Sequence, residues 1–141
     1  MDRNWRNDLR HIIIASHHRF AAGLADTMDY IGNIKGIDVI CAYVGETPLD
    51  RQVAELFAGY DSEDEVLVLT DILQGSVNQA FAPYMGERVF LVAGANVALA
   101  LELALAEEPL TVKDIENAIG TARQSMRLMN TARVDIDEED E

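Results

Sequence analysis

The sequence predicts a single-domain α/β fold with a doubly wound, mainly parallel sheet of four strands and helices on both faces. Four short runs are apolar almost throughout rather than alternating, which is the pattern of strands covered on both sides. Between them, apolar residues recur every three or four positions, as in helices that pack one face against a sheet. Repeated strand–helix–strand units with right-handed crossovers build a sheet of this kind.

The four strands are expected at residues 11–15, 37–43, 66–70 and 88–93. The first two helices are predicted from apolar stripes that begin just after the first and second strands. Their members are Phe20, Leu24, Met28 and Ile31 in the first helix, and Leu49, Val53 and Leu56 in the second.

Capping residues predict where the remaining elements begin. Thr47 is the expected N-cap of the second helix, with Pro48 at its first position. Ser76 opens a capping box for the third helix, and Asn96 and Thr111 are expected to cap the fourth and fifth. The last helix places Ile115, Ile119, Ala122, Met126 and Met129 on one face, with the two methionines in the core or at a subunit interface. A short antiparallel fifth strand is expected near residues 133–136.

Composition and charge restrict the class of protein. The 141 residues suit one domain, which we place at 10–130, between an N-terminal extension (1–9) and a C-terminal strand and acidic tail (131–141). A net charge of -14 disfavours nucleic acids and anionic membrane surfaces as partners. The chain has neither an apolar run long enough for membrane insertion nor a signal-peptide core, and its single cysteine, Cys41, fits a reducing cytoplasm.

A histidine and an aspartate come directly after two of the predicted strands. His17 follows the first strand and Asp71 follows the third. In a parallel sheet both lie at the carboxyl edge, where ligands bind, so an Asp71 carboxylate could fix the tautomer of a nucleophilic His17. Each residue alone has an ordinary alternative, as an exposed loop histidine and as a capping aspartate.

The turn after Asp71 is a candidate phosphate site. Gln74, Gly75 and Ser76 lead into the third helix, whose first N–H groups and positive dipole end suit an anion. Ser76 also has a sufficient role as a cap. His18 and Asn96 are candidates for accessory roles, although Asn96 also suits a helix cap. Adjacent histidines on a turn usually point apart, so no metal site is expected from His17, His18 and His11.

Three motifs together resemble the mannose-family enzyme IIA domains of the bacterial sugar phosphotransferase system (PTS). They are IIIASHHRFAAGL at residues 12–24, VLVLTDILQGS at 66–76 and VAGAN at 92–96. Their order and spacing match the family's histidine turn, its strand with aspartate and Gly-Gly-Ser-Pro turn, and the end of its fourth strand. The similarity extends from about Arg10 to about Asn130.

The resemblance implies a phosphoryl relay in which His17 accepts a phosphoryl group from the histidine-containing phosphocarrier protein and passes it to a IIB component. It implies that Asp71 orients His17, and that Ser76 and the turn around Gly75 hold the phosphoryl group. It also implies a cytoplasmic homodimer, often with an exchanged C-terminal strand. Transfer between two proteins calls for no cofactor.

The chain departs from the family pattern at four positions. His18 and Gln74 stand where the family has glycines, and Val77 and Ala98 stand where it has prolines. The departures at His18 and Gln74 suggest the alternative function, a divergent regulatory or binding module without transfer activity. A receiver-like domain phosphorylated on Asp71 is disfavoured, because Ser16 and His17 occupy the place of the acidic residues that would hold Mg²⁺. A flavodoxin-like role is disfavoured because the first turn lacks a phosphate cradle.

Overall fold

A computed structural model describes residues 10–132, and its centre is a four-stranded parallel sheet with the strand order β2-β1-β3-β4. The strands are β1 (Arg10–His17), β2 (Asp38–Ala42), β3 (Glu65–Thr70) and β4 (Val89–Ala93). The four predicted strands are confirmed, with ends that differ from the expected ones by at most two residues. The expected fifth strand near 133–136 lies outside the described residues, and residues 129–132 are helical.

Within residues 10–132, five α-helices besides the short helical segment at 129–132 accompany the sheet, and a 3₁₀ turn (Ala82–Tyr84) follows the third. They are α1 (Phe20–Gly32), α2 (Leu49–Ala58), α3 (Ser76–Phe81), α4 (Val97–Leu105) and α5 (Val112–Gln124). Within residues 10–132, no helix combines the length and the apolar character that a bilayer crossing requires.

The core consists of two apolar layers separated by the sheet. Ile14 and Leu69 pack with residues of α1, α4 and α5 on one face. Ile13 and Val68, their neighbours in sequence, pack with α2 and α3 on the other face. This alternation, together with the full burial of β3, confirms the predicted doubly wound arrangement.

Two predictions about helix ends are wrong. Pro48 is the N-cap of α2 rather than its first residue, because its ψ of 145° is extended, and no side chain caps that helix. Helix α5 ends at Gln124. The Ser125 hydroxyl donates a hydrogen bond to the carbonyl of Ala122, one of the last-turn carbonyls that lack the usual partner within the helix. Met126 is consequently not part of the helical face and is 77% exposed, as Met129 is 53% exposed. Neither methionine belongs to the core of this chain.

The stripe predicted for α1 is only partly buried. Leu24 and Met28 are in the core together with Ala21, whereas Phe20 and Ile31 are exposed. The buried line runs through 21, 24 and 28, which leaves Phe20 and Ile31 at its margins. The predicted caps of the last two helices are confirmed: Asn96 accepts the N–H of Leu99 and Thr111 accepts the N–H of Asp114.

An ion pair fastens the amino-terminal edge of the sheet. Arg10 of β1 and Glu65 of β3 form it with side chains that are only 6% and 8% exposed. Arg10 also donates to the carbonyls of Ala106 and Glu107, and Glu65 accepts the N–H of Leu110. The pair therefore joins two central strands to the segment between α4 and α5.

We expect Glu65→Ala to lower the free energy of unfolding by about 3–5 kcal/mol, because it leaves the buried Arg10 guanidinium without its counter-charge. Glu63→Ala is the control, since the Glu63–Arg88 pair is exposed; it should cost less than about 1 kcal/mol. Urea unfolding of both variants measures the difference. Equal, small losses would contradict a structural role for the buried pair.

Candidate functional site

His17 and Asp71 meet at the carboxyl edge of the sheet, as the sequence predicts. Strands β1 and β3 are adjacent and in register with Ala15 opposite Thr70, so the residues that follow them come together. The Oδ2 atom of Asp71 lies 3.0 Å from Nδ1 of His17 and accepts the backbone N–H of His17 at 2.8 Å. One carboxylate oxygen therefore fixes both the main chain and the ring of the histidine.

The hydrogen bonds around Asp71 decide its charge. Burial alone would raise the pKa of the carboxyl group, but the N–H and imidazole of His17 and the N–H of Ile72 outweigh it and lower the pKa below 3.8. Asp71 is therefore ionised at neutral pH and can only accept hydrogen bonds. In the neutral imidazole the proton must then be on Nδ1, which leaves the lone pair on Nε2.

The hydroxyl group of Ser76 lies beside that lone pair. Its Oγ is 3.3 Å from Nε2 of His17 and 2.7 Å from the hydroxyl of Tyr43. The prediction that Ser76 caps α3 is wrong: Gly75 occupies the N-cap position, and no side chain caps the helix. Ser76 already has helical geometry as the first residue of α3, so its side chain is available to the histidine.

The turn at residues 71–76 is held together from within. Gly75 donates to the carbonyl of Ile72 at 3.1 Å, and a Cβ added to Gly75 would lie 3.4 Å from Cε1 of His17. The side chain of Asn78 donates to the Thr70 hydroxyl at 2.9 Å and accepts the N–H of Gln74 at 3.3 Å. Gly75 thus lies directly against the imidazole, and Asn78 holds the turn in place.

Three residues around His17 have left-handed backbone conformations without being glycine. The φ angles are 58° for His18, 68° for Tyr43 and 63° for Gln74. Such conformations cost about 1–2 kcal/mol each and concentrate at functional sites. The resemblance implies glycines at the positions of His18 and Gln74, and glycine adopts such positive φ angles without strain.

The structure does not bring all predicted site residues to His17. Asn96 uses its side chain to cap α4, and no hydrogen bond within residues 10–132 joins it to His17. Gln74 contributes main-chain contacts, and His18 donates its N–H to the carbonyl of Ala42. His11 lies six residues earlier on β1, about 20 Å away along the strand, where it contacts Asp64. Nowhere in residues 10–132 do three or more His, Cys, Asp or Glu side chains form a group that could hold a metal ion.

Sequence reasoning missed two residues that shape the site. Ser16 is fully buried, donates to the carbonyl of His18 at 3.1 Å and accepts the N–H of Ala21 at 2.7 Å, which fixes the turn into α1. Tyr43 follows β2, and its ring centroid lies 5.7 Å from that of His17. The signal for both was their position at the carboxyl ends of strands adjacent in the sheet.

The site is open to large molecules. The side chain of His17 is 38% exposed. Exposed apolar side chains lie on the segments that follow β1, β2 and β3: Phe20, Tyr43, Val44, Ile72 and Leu73. A protein partner could therefore reach the imidazole across an apolar rim.

Comparison with known proteins decides the family. The profile of the family described as "PTS system fructose IIA component" matches residues 11–119, a stretch that contains the four strands except for Arg10, together with His17 and Asp71. The chain belongs to this mannose-type IIA family. The resemblance seen in the sequence is thereby confirmed.

Individual relatives agree with the assignment of this chain as a IIA component. The fructose-specific EIIA component of the PTS of Bacillus subtilis (strain 168) is 28% identical over 118 residues, which cover 80% of this chain and 81% of that protein. The crystal structure of a Klebsiella pneumoniae protein assigned as a phosphoenolpyruvate-dependent sugar PTS permease is 38% identical, with a TM-score of 0.80 and coverage of 86% of this chain and 91% of that one.

A more distant structure shares the fold of this IIA component. It is the mannose/sorbose-specific IIA subunit from Enterococcus faecalis, with 21% identity, a TM-score of 0.71 and coverage of 84% of this chain and 93% of that one.

The lowered pKa of Asp71 predicts a pH dependence of stability. Folding favours the ionised carboxylate, so its contribution is complete above the ordinary pKa of 3.8 and is lost as the pH falls through the lower native value. The stability advantage of wild type over Asp71→Asn should therefore shrink below about pH 4. Urea unfolding of both proteins along a pH series measures this, and an advantage that stays constant into strong acid would refute it.

Proposed function

We propose that this IIA component is a phosphoryl relay that carries the phosphoryl group on Nε2 of His17. The donor is the histidine-containing phosphocarrier protein, and the acceptor is a IIB component. The observation that carries the proposal is the contact between Nδ1 of His17 and an ionised Asp71, which directs the free lone pair of the ring outward from the sheet.

The chemistry follows from that arrangement. The Nε2 lone pair of His17 attacks phosphorus in line with the leaving nitrogen, and a new N–P bond forms as the N–P bond of the donor phosphohistidine breaks. The bonding electron pair returns to the donor imidazole. Positive charge develops on the His17 ring during attack, and the Asp71 carboxylate stabilises it through Nδ1–H. The same steps in reverse order pass the group to the IIB component.

The turn after Asp71 supplies the pocket for the phosphoryl group. The Ser76 hydroxyl, 3.3 Å from Nε2, can donate to a phosphoryl oxygen. Gly75 keeps the space next to Cε1 clear of a side chain. Gln74 contributes by shaping the turn through its left-handed backbone. We assign these three residues to phosphate binding on this basis.

The exposed surfaces of the protein support the proposed partners and the proposed dimer. Because His17 is partly exposed within an apolar rim, both the phosphocarrier protein and the IIB component can dock there in turn. We further propose a cytoplasmic homodimer, since Met126, Leu128 and Met129, with Arg127 among them, expose three apolar side chains that a second copy would cover.

The alternative, a regulatory module that has lost transfer, rested on the side chains of His18 and Gln74. Both residues adopt the backbone that glycine would take, and the contacts of His17 with Asp71 and Ser76 are made in their presence. This geometry favours the active relay.

Phosphorylation of purified variants tests the proposal. With phosphoenolpyruvate, enzyme I and the phosphocarrier protein, wild type should gain one acid-labile phosphate, and His17→Ala should gain none. His18→Ala is the matched variant. It should still take up phosphate on His17, because the contacts with Asp71 and Ser76 are made by the ring of His17. Intact-protein mass spectrometry with peptide mapping locates the group.

Two results would contradict the relay. Phosphate that persists in His17→Ala would place the acceptor elsewhere, and its release by hydroxylamine would indicate an acyl phosphate on a carboxylate such as Asp71. A wild-type protein that binds its partners but takes up no phosphate would support the regulatory alternative.

A further inference from the structure

Tyr43 follows β2 and contacts Ser76, the residue whose hydroxyl lies beside Nε2 of His17. Its backbone has a left-handed φ of 68°. Its hydroxyl lies 2.7 Å from Oγ of Ser76, on the far side of His17 in the strand order. Tyr43 as a whole residue is 59% exposed, so its polar contact is not forced by burial.

The hydrogen bonds between these side chains can run in only one direction. The ionised Asp71 accepts from Nδ1 of His17, so Nε2 in the neutral ring is an acceptor. The hydroxyl of Ser76 must then donate its single proton towards Nε2, and the Tyr43 hydroxyl must donate to Oγ of Ser76. The order is Tyr43 to Ser76 to His17.

We propose that Tyr43 is a positioning residue, whose hydroxyl directs the Ser76 proton at the phosphoryl group on His17. This deepens the proposed function and rests on it. Once Nε2 is bonded to phosphorus, its lone pair is no longer available, and the Ser76 hydroxyl turns to a phosphoryl oxygen. A donor already fixed on Oγ keeps that hydroxyl from rotating away and polarises it towards the anion. Tyr43 itself forms and breaks no covalent bond.

The hydroxyl and the ring of Tyr43 have separable roles. The ring lies at a tilt of 44° to the imidazole, with centroids 5.7 Å apart, and is exposed where a partner docks. Removing the ring would therefore disturb docking as well as positioning. Tyr43→Phe removes only the hydrogen-bond donor and leaves the apolar surface in place.

Single-turnover transfer from the phosphorylated phosphocarrier protein tests the role. The donor concentration is varied for wild type, Tyr43→Phe, Ser76→Ala and the double variant, and the maximal rate and half-saturating concentration are read separately. Tyr43→Phe should lower the maximal rate by about three- to tenfold, which corresponds to the usual free energy of one hydrogen bond. The half-saturating donor concentration should not change. In the Ser76→Ala background, Tyr43→Phe should cause no further loss, because Tyr43 acts through Ser76. The control is Tyr30→Phe, which alters a side chain of α1 that is 90% exposed.

The outcomes separate this inference from the proposed function. Suppose that wild type transfers normally. If Tyr43→Phe then transfers at the wild-type rate, or if Tyr43→Phe lowers the rate equally in the wild-type and Ser76→Ala backgrounds, the positioning role is overturned while the relay stands. A change in half-saturation alone would likewise overturn it, since that result indicates a docking contact. If wild type takes up no phosphate on His17, the relay falls and this role falls with it.

Discussion

A single carboxylate oxygen organises the functional end of this protein. Oδ2 of Asp71 accepts the backbone N–H and faces Nδ1 of His17, so it links the segment after β3 to the last residue of β1. The link exists because β1 and β3 are neighbours in the sheet and pair in a fixed register. It sets which ring nitrogen carries the proton, and the roles proposed for Ser76 and Tyr43 follow from that choice.

The site also shows how the fold supports strained positions. His18, Tyr43 and Gln74 have left-handed backbones, and two of them are held by visible hydrogen bonds: His18 to the carbonyl of Ala42, and Gln74 to the side chain of Asn78. Strained conformations of this kind persist only where the surrounding structure holds them in place. Glycine would relieve the strain at these positions, but the chain retains the path without it.

The sequence was sufficient where local pattern decides the structure. Four short apolar runs predict the four strands, and Asn96 and Thr111 cap the helices that they precede. It was insufficient where a side chain chooses between local and distant partners. The Ser76 hydroxyl could have capped α3, but it bonds to Tyr43 and faces His17, which are far away in the sequence. Tyr43 was missed for the same reason, since neither its backbone conformation nor its partner is encoded nearby.

The central claim is that Asp71 holds the proton of the His17 ring on Nδ1 and leaves Nε2 free to accept the phosphoryl group. Nitrogen-15 NMR of the imidazole ring tests it most directly, on the unphosphorylated protein at mildly alkaline pH, where imidazole is neutral. The account predicts a protonated Nδ1 and an unprotonated Nε2 for His17. A spectrum with the proton on Nε2 would contradict it.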